Sequence, residues 1–260
     1  MAGELLVDEP AEGVLRLRIS NPSKRGALDH DILDGLAHAL DGIGSRARVV
    51  LLTGTAGQFS SGYDIGDIPE EVFEIEAERL VAHPFADALH ALEDADVPIV
   101  AALTGHTIGG GLELAVTCDF RVAARGIKLG MPPAKLGLVY SHTGLRRFVD
   151  TIGVPRTREL FLRGRYVDAD EAFAWGMVTE VADDAETAGL ALAEELVGNA
   201  PLSLAGNKKA LRQILAARAA LPGDVEAELV SLRRACFRSE DFKEGVRAFG
   251  ERRPARWQGR

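Results

Sequence analysis

The chain has 260 residues, of which 47% are apolar, and a net charge of −9 at pH 7. A nucleic-acid-binding protein would carry a basic patch, so the acidic balance argues against that class. No apolar run approaches the roughly 20 residues that a membrane-spanning helix needs. The first residues also lack the basic and apolar regions of a secretory signal. We therefore expect a cytoplasmic protein with neither nucleic acid nor a membrane as partner.

The first half of the chain alternates predicted strands and helices. Leu15–Ile19 alternates apolar and charged residues, which is typical of a half-buried strand. Asp29 is a predicted N-cap for a helix over Ile32–Leu40. Further strands are predicted over Val49–Leu52, Ile99–Leu103 and Phe120–Ala124, and further helices over Ala86–Leu92 and Leu112–Thr117. This alternation predicts an α/β core with parallel strands.

The second half is predominantly helical. A helix over Ala169–Trp175, capped by Asp168 or Asp170, precedes a brief predicted strand over Met177–Val181. Two other short helices are predicted over Gly144–Ile152 and Pro155–Leu162. From Ala185 onward the pattern is almost wholly helical. We expect an α/β body over residues 1–197 and a helical C-terminal region over residues 198–260.

A loop of small residues, Thr55 to Gly62, follows the predicted strand at 49–52, and it leads into the first segment of interest, Gln58 to Ile65. Small residues and Gly62 let the backbone turn sharply beyond the strand, so that N–H groups can point into a crevice. An ordinary strand-to-helix turn is the alternative. The segment does not match the G-x-S-x-G nucleophile elbow, so it gives no support to a hydrolase serine.

A second loop, Thr104 to Leu114, contains three consecutive glycines, Gly109 to Gly111, at a predicted helix start. Free N–H groups and the helix dipole make such a start a site for an anion or an oxyanion. Glu113 is the only acid between Thr104 and Thr117. A buried acid needs a partner or a purpose, and a structural glutamate is the alternative. No cluster of acids and histidines has metal-ligand spacing, so we predict no metal.

Together the loops read F-x-x-G-x-D-[IL], beginning at Phe59, and G-x-x-x-G-G-G-x-E-L-A-x-x-C-D, beginning at Gly105. This pair of motifs resembles the crotonase (enoyl-CoA hydratase/isomerase) superfamily, and the resemblance covers nearly the whole chain. It implies a crotonase (ClpP-like) spiral of ββα units with a helical C-terminal trimerisation region. It also implies an acyl-CoA thioester substrate, no cofactor beyond the coenzyme A of that substrate, and a homo-trimer or a dimer of trimers.

The resemblance also implies roles for individual residues. The thioester carbonyl would be held by the peptide N–H groups of Tyr63 and Gly110. The residues implied to contact coenzyme A are Lys24, Arg25, Ala27, Phe249 and Arg252. In the family the two tail positions, Phe249 and Arg252, reach the coenzyme A of a neighbouring subunit. Solvated surface charge is the alternative for the three basic residues.

The chain departs from the hydratase pattern at one position. Hydratases of this family use two glutamates; one matches Glu113, but the second position is Pro133, which cannot exchange a proton. Tyr140 follows a Leu-Gly unit, as in the methylmalonyl-CoA decarboxylase branch, which also lacks the second glutamate. That branch has histidine where this chain has Tyr63. Loss of CO2 needs no initial base, only an oxyanion hole, an apolar pocket and a final proton donor.

The preferred hypothesis is decarboxylation of a malonyl- or methylmalonyl-type CoA ester, with Tyr140 orienting the carboxylate or supplying the proton. The first alternative is a hydratase or isomerase that uses Glu113 with a substitute second acid. Thioester hydrolysis and a non-catalytic acyl-CoA-binding subunit are further alternatives. His142 is a candidate general acid, against an incidental loop histidine.

Overall fold

The computed structural model describes residues 3–64, 75, 76, 79, 81–218 and 220–259. Ile65, the last residue of the first motif, lies outside the described residues. The larger sheet contains β1 to β4, β6 and β9, and the smaller one contains β5, β7 and β8. The strands are β1 Glu4–Ala11, β2 Val14–Ser20, β3 Val49–Gly54, β4 Ile99–Leu103, β5 Thr107–Ile108, β6 Phe120–Ala124, β7 Lys128–Gly130, β8 Tyr166–Asp168 and β9 Glu180–Ala182.

Helices cover both faces of the larger sheet and form the C-terminal region. They are α1 His30–Leu40, α2 Ala86–Asp94, α3 Gly110–Thr117, α4 Pro133–Leu136, α5 His142–Phe161, α6 Ala169–Ala174, α7 Ala185–Val197, α8 Pro201–Ala217, α9 Gly223–Phe237 and α10 Glu240–Gly250. Among the helices described here, none is both long and apolar enough to span a lipid bilayer.

The larger sheet confirms the predicted parallel α/β core. Its order is β1-β2-β3-β4-β6-β9, and only the β1–β2 pair is antiparallel. Every residue of β3 and β4 is buried. Alternate residues face opposite layers: Val50 and Leu52 join the core with α1 and α2, whereas Val49 and Leu51 join the core with α7. Continuous apolar strands of this kind are expected where helices cover both faces of a sheet.

The predicted helix caps agree with the structure. Asp29 accepts a hydrogen bond from the Ile32 N–H at 3.1 Å, and Asp168 caps α6 by accepting from the Glu171 N–H at 2.9 Å. Asp170, the other candidate cap of α6, lies inside the helix. Each side-chain oxygen satisfies an N–H that has no partner within its helix.

The segment from 142 to 161 is interrupted at Gly153, whose φ of 72° and ψ of 164° are not helical, so the two helices predicted on either side of that residue are confirmed. One predicted element needs correction. The strand predicted over Met177–Val181 begins at Glu180, because the Met177 N–H bonds to the Ala172 carbonyl and closes the end of α6.

The C-terminal helices dock on the body through a few specific contacts. On α8, the Lys208 ammonium donates to Asp119 at 2.7 Å and to the Val97 carbonyl at 3.0 Å. On α10, Gly245 lies so close to α4 that a Cβ there would be 2.3 Å from the Leu136 carbonyl oxygen. The predicted helical C-terminal region is confirmed. On the same helices Leu202, Leu211 and Ile214 are exposed, and the implied trimer stays a prediction.

Candidate active site

The two motif loops lie side by side at the carboxyl ends of β3 and β4. The Ile108 N–H donates to the Ser60 carbonyl at 3.0 Å, and the Leu28 N–H donates to the Gly62 carbonyl at 2.8 Å. The Gly109 N–H donates to the Gly130 carbonyl at 2.9 Å, which ties the second loop to the smaller sheet. These bonds hold the backbone around Tyr63 beside the start of α3.

Glycine is required at the closest approach of the loops. Gly62 has a φ of 100°, a conformation that residues with a Cβ rarely adopt. A Cβ at that position would lie 3.1 Å from the Ile108 carbonyl oxygen and 3.4 Å from the Gly110 nitrogen. The Gly62 and Gly110 backbones therefore pack with no side chain between them.

The N–H groups of Tyr63 and Gly110 have no hydrogen-bond acceptor among the described residues. Gly110 is the first residue of α3, where an N–H has no acceptor within the helix. The helix dipole adds partial positive charge there. Tyr63 and Gly110 also line the same cavity. This arrangement can hold a developing oxyanion, the role that the family motif implies.

Behind the cavity, Glu113 is the centre of a buried polar network. It is 1% exposed, and its Oε2 accepts a hydrogen bond from the Tyr140 hydroxyl at 2.5 Å. Its Oε1 accepts from Arg147 at 3.0 Å, and Arg147 also donates to Glu93 at 2.8 Å. Both carboxylate oxygens of Glu113 are thus occupied. The Tyr140 hydroxyl points inward to Glu113, so Tyr140 is not a rim residue with its hydroxyl in water.

Close packing of α5 on α3 creates this network. Gly144, near the start of α5, has no room for a side chain: its Cβ would lie 2.6 Å from Tyr140 and 2.8 Å from the Glu113 carboxylate. The approach brings Arg147, one turn further along α5, to the acid. The buried acid therefore has the charged partner that its burial requires.

Burial and charge shift the ionisation of this cluster. Burial raises the pKa of Glu113, while the Arg147 charge and the Tyr140 hydrogen bond oppose that rise. Burial, followed by the Glu113 charge, raises the pKa of Tyr63 and of Tyr140 well above 10. Both tyrosines are therefore neutral hydrogen-bond donors at physiological pH.

The cavity is narrow and mostly apolar, with a volume of about 180 Å³. It has room for a short acyl group but not for the whole of coenzyme A. Arg233, on α9, is the only residue with a formal charge among its described lining residues. The lining also contains Gly62, Tyr63, Gly110, Pro133, Tyr140 and Phe249. Glu113 does not line it, because Tyr140 stands between the carboxylate and the cavity.

Three of the residues implied to contact coenzyme A, Lys24, Arg25 and Ala27, lie beside this cavity but outside its lining. Lys24 forms an ion pair with Asp64 at 2.8 Å. Ala27 is buried, and its carbonyl accepts a hydrogen bond from the Asn21 amide at 3.0 Å. Arg25 is exposed, with a φ of 57°. Because Ser61, on the cavity wall, donates to the Lys24 carbonyl, the segment is held next to the site. Contact with coenzyme A stays a prediction.

Of the two tail residues and His142, only Phe249 lines the cavity. Phe249 lines the cavity of its own chain, because α10 folds back onto α4. Its implied contact with the coenzyme A of a neighbouring subunit stays a prediction. Arg252 is exposed and is not part of the lining. His142 faces Glu226, with 3.5 Å between Nε2 and the carboxylate, and does not line the cavity. Nothing in its position supports a role as general acid.

The sequence patterns do not mark Arg147, Glu93 or Arg233 as site residues. The one indirect signal is Glu113, since an acid in an apolar stretch needs a buried partner. The identity of that partner depends on how α5 packs, which no local pattern encodes.

A Gly245→Ala variant should weaken substrate binding without unfolding the protein. The added Cβ cannot lie 2.3 Å from the Leu136 carbonyl oxygen, so α10 must move away from α4. Phe242 and Phe249, both on α10, line the cavity and would move with it. We expect a several-fold rise in KM for the acyl-CoA substrate. The matched control is Gly250→Ala on the same helix, where the Cβ meets nothing within 4 Å; equal KM values for the two variants would contradict this account.

Comparison with known proteins agrees with this architecture. The family model "Enoyl-CoA hydratase/isomerase" matches residues 9–260. A carnitinyl-CoA dehydratase of Salmonella enteritidis PT4 is 33% identical over 226 residues, which are 82% of this chain and 82% of that protein.

Solved structures give similar matches. A methylmalonyl-CoA decarboxylase in complex with 2-nitronate-propionyl-CoA superposes with a TM-score of 0.89 at 25% identity, over 99% of each chain. An enoyl-CoA hydratase/isomerase from Pseudoalteromonas atlantica T6c superposes with a TM-score of 0.83 at 27% identity, over 98% of this chain and 100% of that one. The chain therefore belongs to the enoyl-CoA hydratase/isomerase, or crotonase, family and is an acyl-CoA enzyme of that family.

Proposed function

We propose that this enzyme decarboxylates a malonyl- or methylmalonyl-type CoA ester. The main observation in support is that Glu113, the acid of the second motif, is shielded from the cavity. Glu113 does not line the cavity, Tyr140 and Arg147 occupy its two oxygens, and Pro133 stands at the second acid position. Among the described lining residues there is therefore no carboxylate to activate water.

Decarboxylation uses the groups that do line the cavity. The bond between Cα and the carboxylate carbon breaks, its electron pair moves into the thioester as an enolate, and CO2 leaves. The N–H groups of Tyr63 and Gly110 would stabilise the enolate oxygen, each contributing about 3–4 kcal/mol. The mostly apolar wall favours this step, because the substrate charge spreads from a carboxylate over the enolate.

Tyr140 would complete the reaction. After CO2 leaves, Cα needs one proton. The Tyr140 hydroxyl, which donates to Glu113 before substrate binds, would turn its O–H bond toward Cα and donate that proton. The hydroxyl then regains a proton from solvent. Glu113 accepts a hydrogen bond from that hydroxyl and so fixes its position. In this mechanism Glu113 is a positioning residue and not the base.

The similarity to the methylmalonyl-CoA decarboxylase structure, over 99% of each chain, supports this proposal. A different observation favours a second candidate, reversible hydration. The carnitinyl-CoA dehydratase relative has the higher identity, 33% against 25%. Hydration would require Tyr140 to move away from Glu113 and another group to replace the second acid.

The test is a direct comparison of products. We expect the purified protein to release CO2 from methylmalonyl-CoA or malonyl-CoA and to form the matching saturated thioester. We expect no hydration of crotonyl-CoA and no dehydration of carnitinyl-CoA under the same conditions. Turnover of either of those two thioesters, without CO2 release from the first pair, would replace decarboxylation by hydration. Binding of all four without any product would indicate a non-catalytic subunit.

A further inference from the structure

Arg233 differs from the other basic residues near the site. It lies on α9, is half-buried, and forms part of the cavity wall. Burial raises the pKa of Tyr63, which lines the same cavity, and the Arg147 and Arg233 charges both oppose that rise. The cavity thus has a cation in a mostly apolar lining.

The inner cation, Arg147, does not have this role, because it lies behind Tyr140 beside Glu113 and Glu93 and is not part of the described cavity lining. A positive charge beside an apolar cavity attracts an anionic group and repels a cationic one, more strongly than in water because the local dielectric is lower. An arginine also matches a carboxylate in planar, two-bond geometry.

We propose that Arg233 is a specificity-determining residue that selects acyl groups with a free carboxylate over neutral and cationic acyl groups. This inference rests on the proposed function and names Arg233 as the side chain that recognises the carboxylate of the substrate. It predicts that the trimethylammonium group of a carnitinyl thioester is disfavoured here.

The same contact predicts how kinetics respond. The carboxylate loses its charge as CO2 forms, so Arg233 binds the ground state more tightly than the transition state. Removing the guanidinium should therefore raise KM while kcat stays near the wild-type value or increases. A purely structural role would not produce this split.

The deciding experiment measures binding with thioesters that cannot lose CO2. Calorimetry would compare succinyl-CoA with butyryl-CoA, which have four-carbon acyl chains and the same coenzyme A but differ in the terminal carboxylate. We expect the wild-type protein to bind succinyl-CoA about tenfold more tightly than butyryl-CoA. Arg233→Gln should abolish that preference, and Arg233→Lys should retain part of it.

The matched control is Arg234→Gln. Arg234 is the next residue of α9, carries the same charge, and lies in a separate surface depression with Ala227 and Arg238. This variant should keep the preference for succinyl-CoA. An equal preference in the Arg233→Gln and Arg234→Gln variants would overturn the proposal. Equal weakening of both thioesters by Arg233→Gln would also overturn it, because Arg233 would then contact the coenzyme A phosphates.

The outcome is separable from that of the proposed function. A preference for succinyl-CoA that depends on Arg233, without CO2 release from malonyl-type thioesters, would keep carboxylate selection and remove decarboxylation. CO2 release from malonyl-type thioesters, with a preference for succinyl-CoA that does not depend on Arg233, would keep decarboxylation and remove Arg233 as the selecting residue.

Discussion

A Gly110→Pro variant is expected to lose about 10²–10³-fold in kcat for CO2 release. Gly110 is the first residue of α3, and proline is tolerated at this position because the N–H there has no acceptor within the helix. The substitution removes the N–H that we assign to the enolate oxygen and leaves the helix hydrogen bonds in place. Steady-state CO2 release, with circular dichroism to confirm the fold, measures the effect.

Gly110→Ala is the matched control, because alanine keeps the N–H. Its Cβ would lie 3.0 Å from two ring atoms of Tyr63, so it reports the effect of crowding alone. The ratio of proline to alanine activity isolates the lost donor. If the two variants lose the same activity, the Gly110 N–H does not contribute to catalysis.

The second large effect is expected for Tyr140→Phe, with a loss of about 10²-fold in kcat. Phenylalanine keeps the edge-to-face packing on Phe161, whose ring centroid is 5.5 Å away, but removes the hydroxyl that we assign to protonation of Cα. The loss also leaves one oxygen of buried Glu113 without its donor, which should lower the free energy of unfolding by about 1–3 kcal/mol. CO2 release and thermal unfolding measure the two effects.

Tyr166→Phe provides the comparison, since Tyr166 also lines the cavity but does not contact Glu113. It should retain most activity. Glu113→Gln keeps a hydrogen-bond acceptor for Tyr140 and should lose less than Tyr140→Phe. Nearly complete loss in Glu113→Gln, together with little loss in Tyr140→Phe, would instead indicate hydration with Glu113 as the base.

Strong local patterns predicted the central elements of the fold. The apolar runs at 49–52 and 99–103 are buried strands, and Asp29 caps α1. Strand β1 was not predicted, because Glu4–Ala11 is mostly exposed and has no alternation of apolar and polar residues. The strands of the smaller sheet have two or three residues, too few for a periodic signal, and they form only because distant segments meet.

The candidate site likewise contains some features that local sequence predicts and others that depend on tertiary packing. Gly62 and the glycines at the start of α3 are visible in sequence, because backbone that approaches backbone so closely excludes a side chain. In sequence, Arg147 and Arg233 do not differ from the other arginines of α5 and α9; only the packing of those helices brings them to the site. Their positions depend on contacts between residues far apart in the chain, such as Arg147 with Glu113.

The most direct test of the account is a crystal structure of the enzyme with bound butyryl-CoA, a thioester that it cannot decarboxylate. We predict that the thioester oxygen lies about 2.7–3.2 Å from both the Tyr63 nitrogen and the Gly110 nitrogen. A thioester carbonyl that points away from these nitrogens, or that accepts from side chains alone, would contradict the central claim.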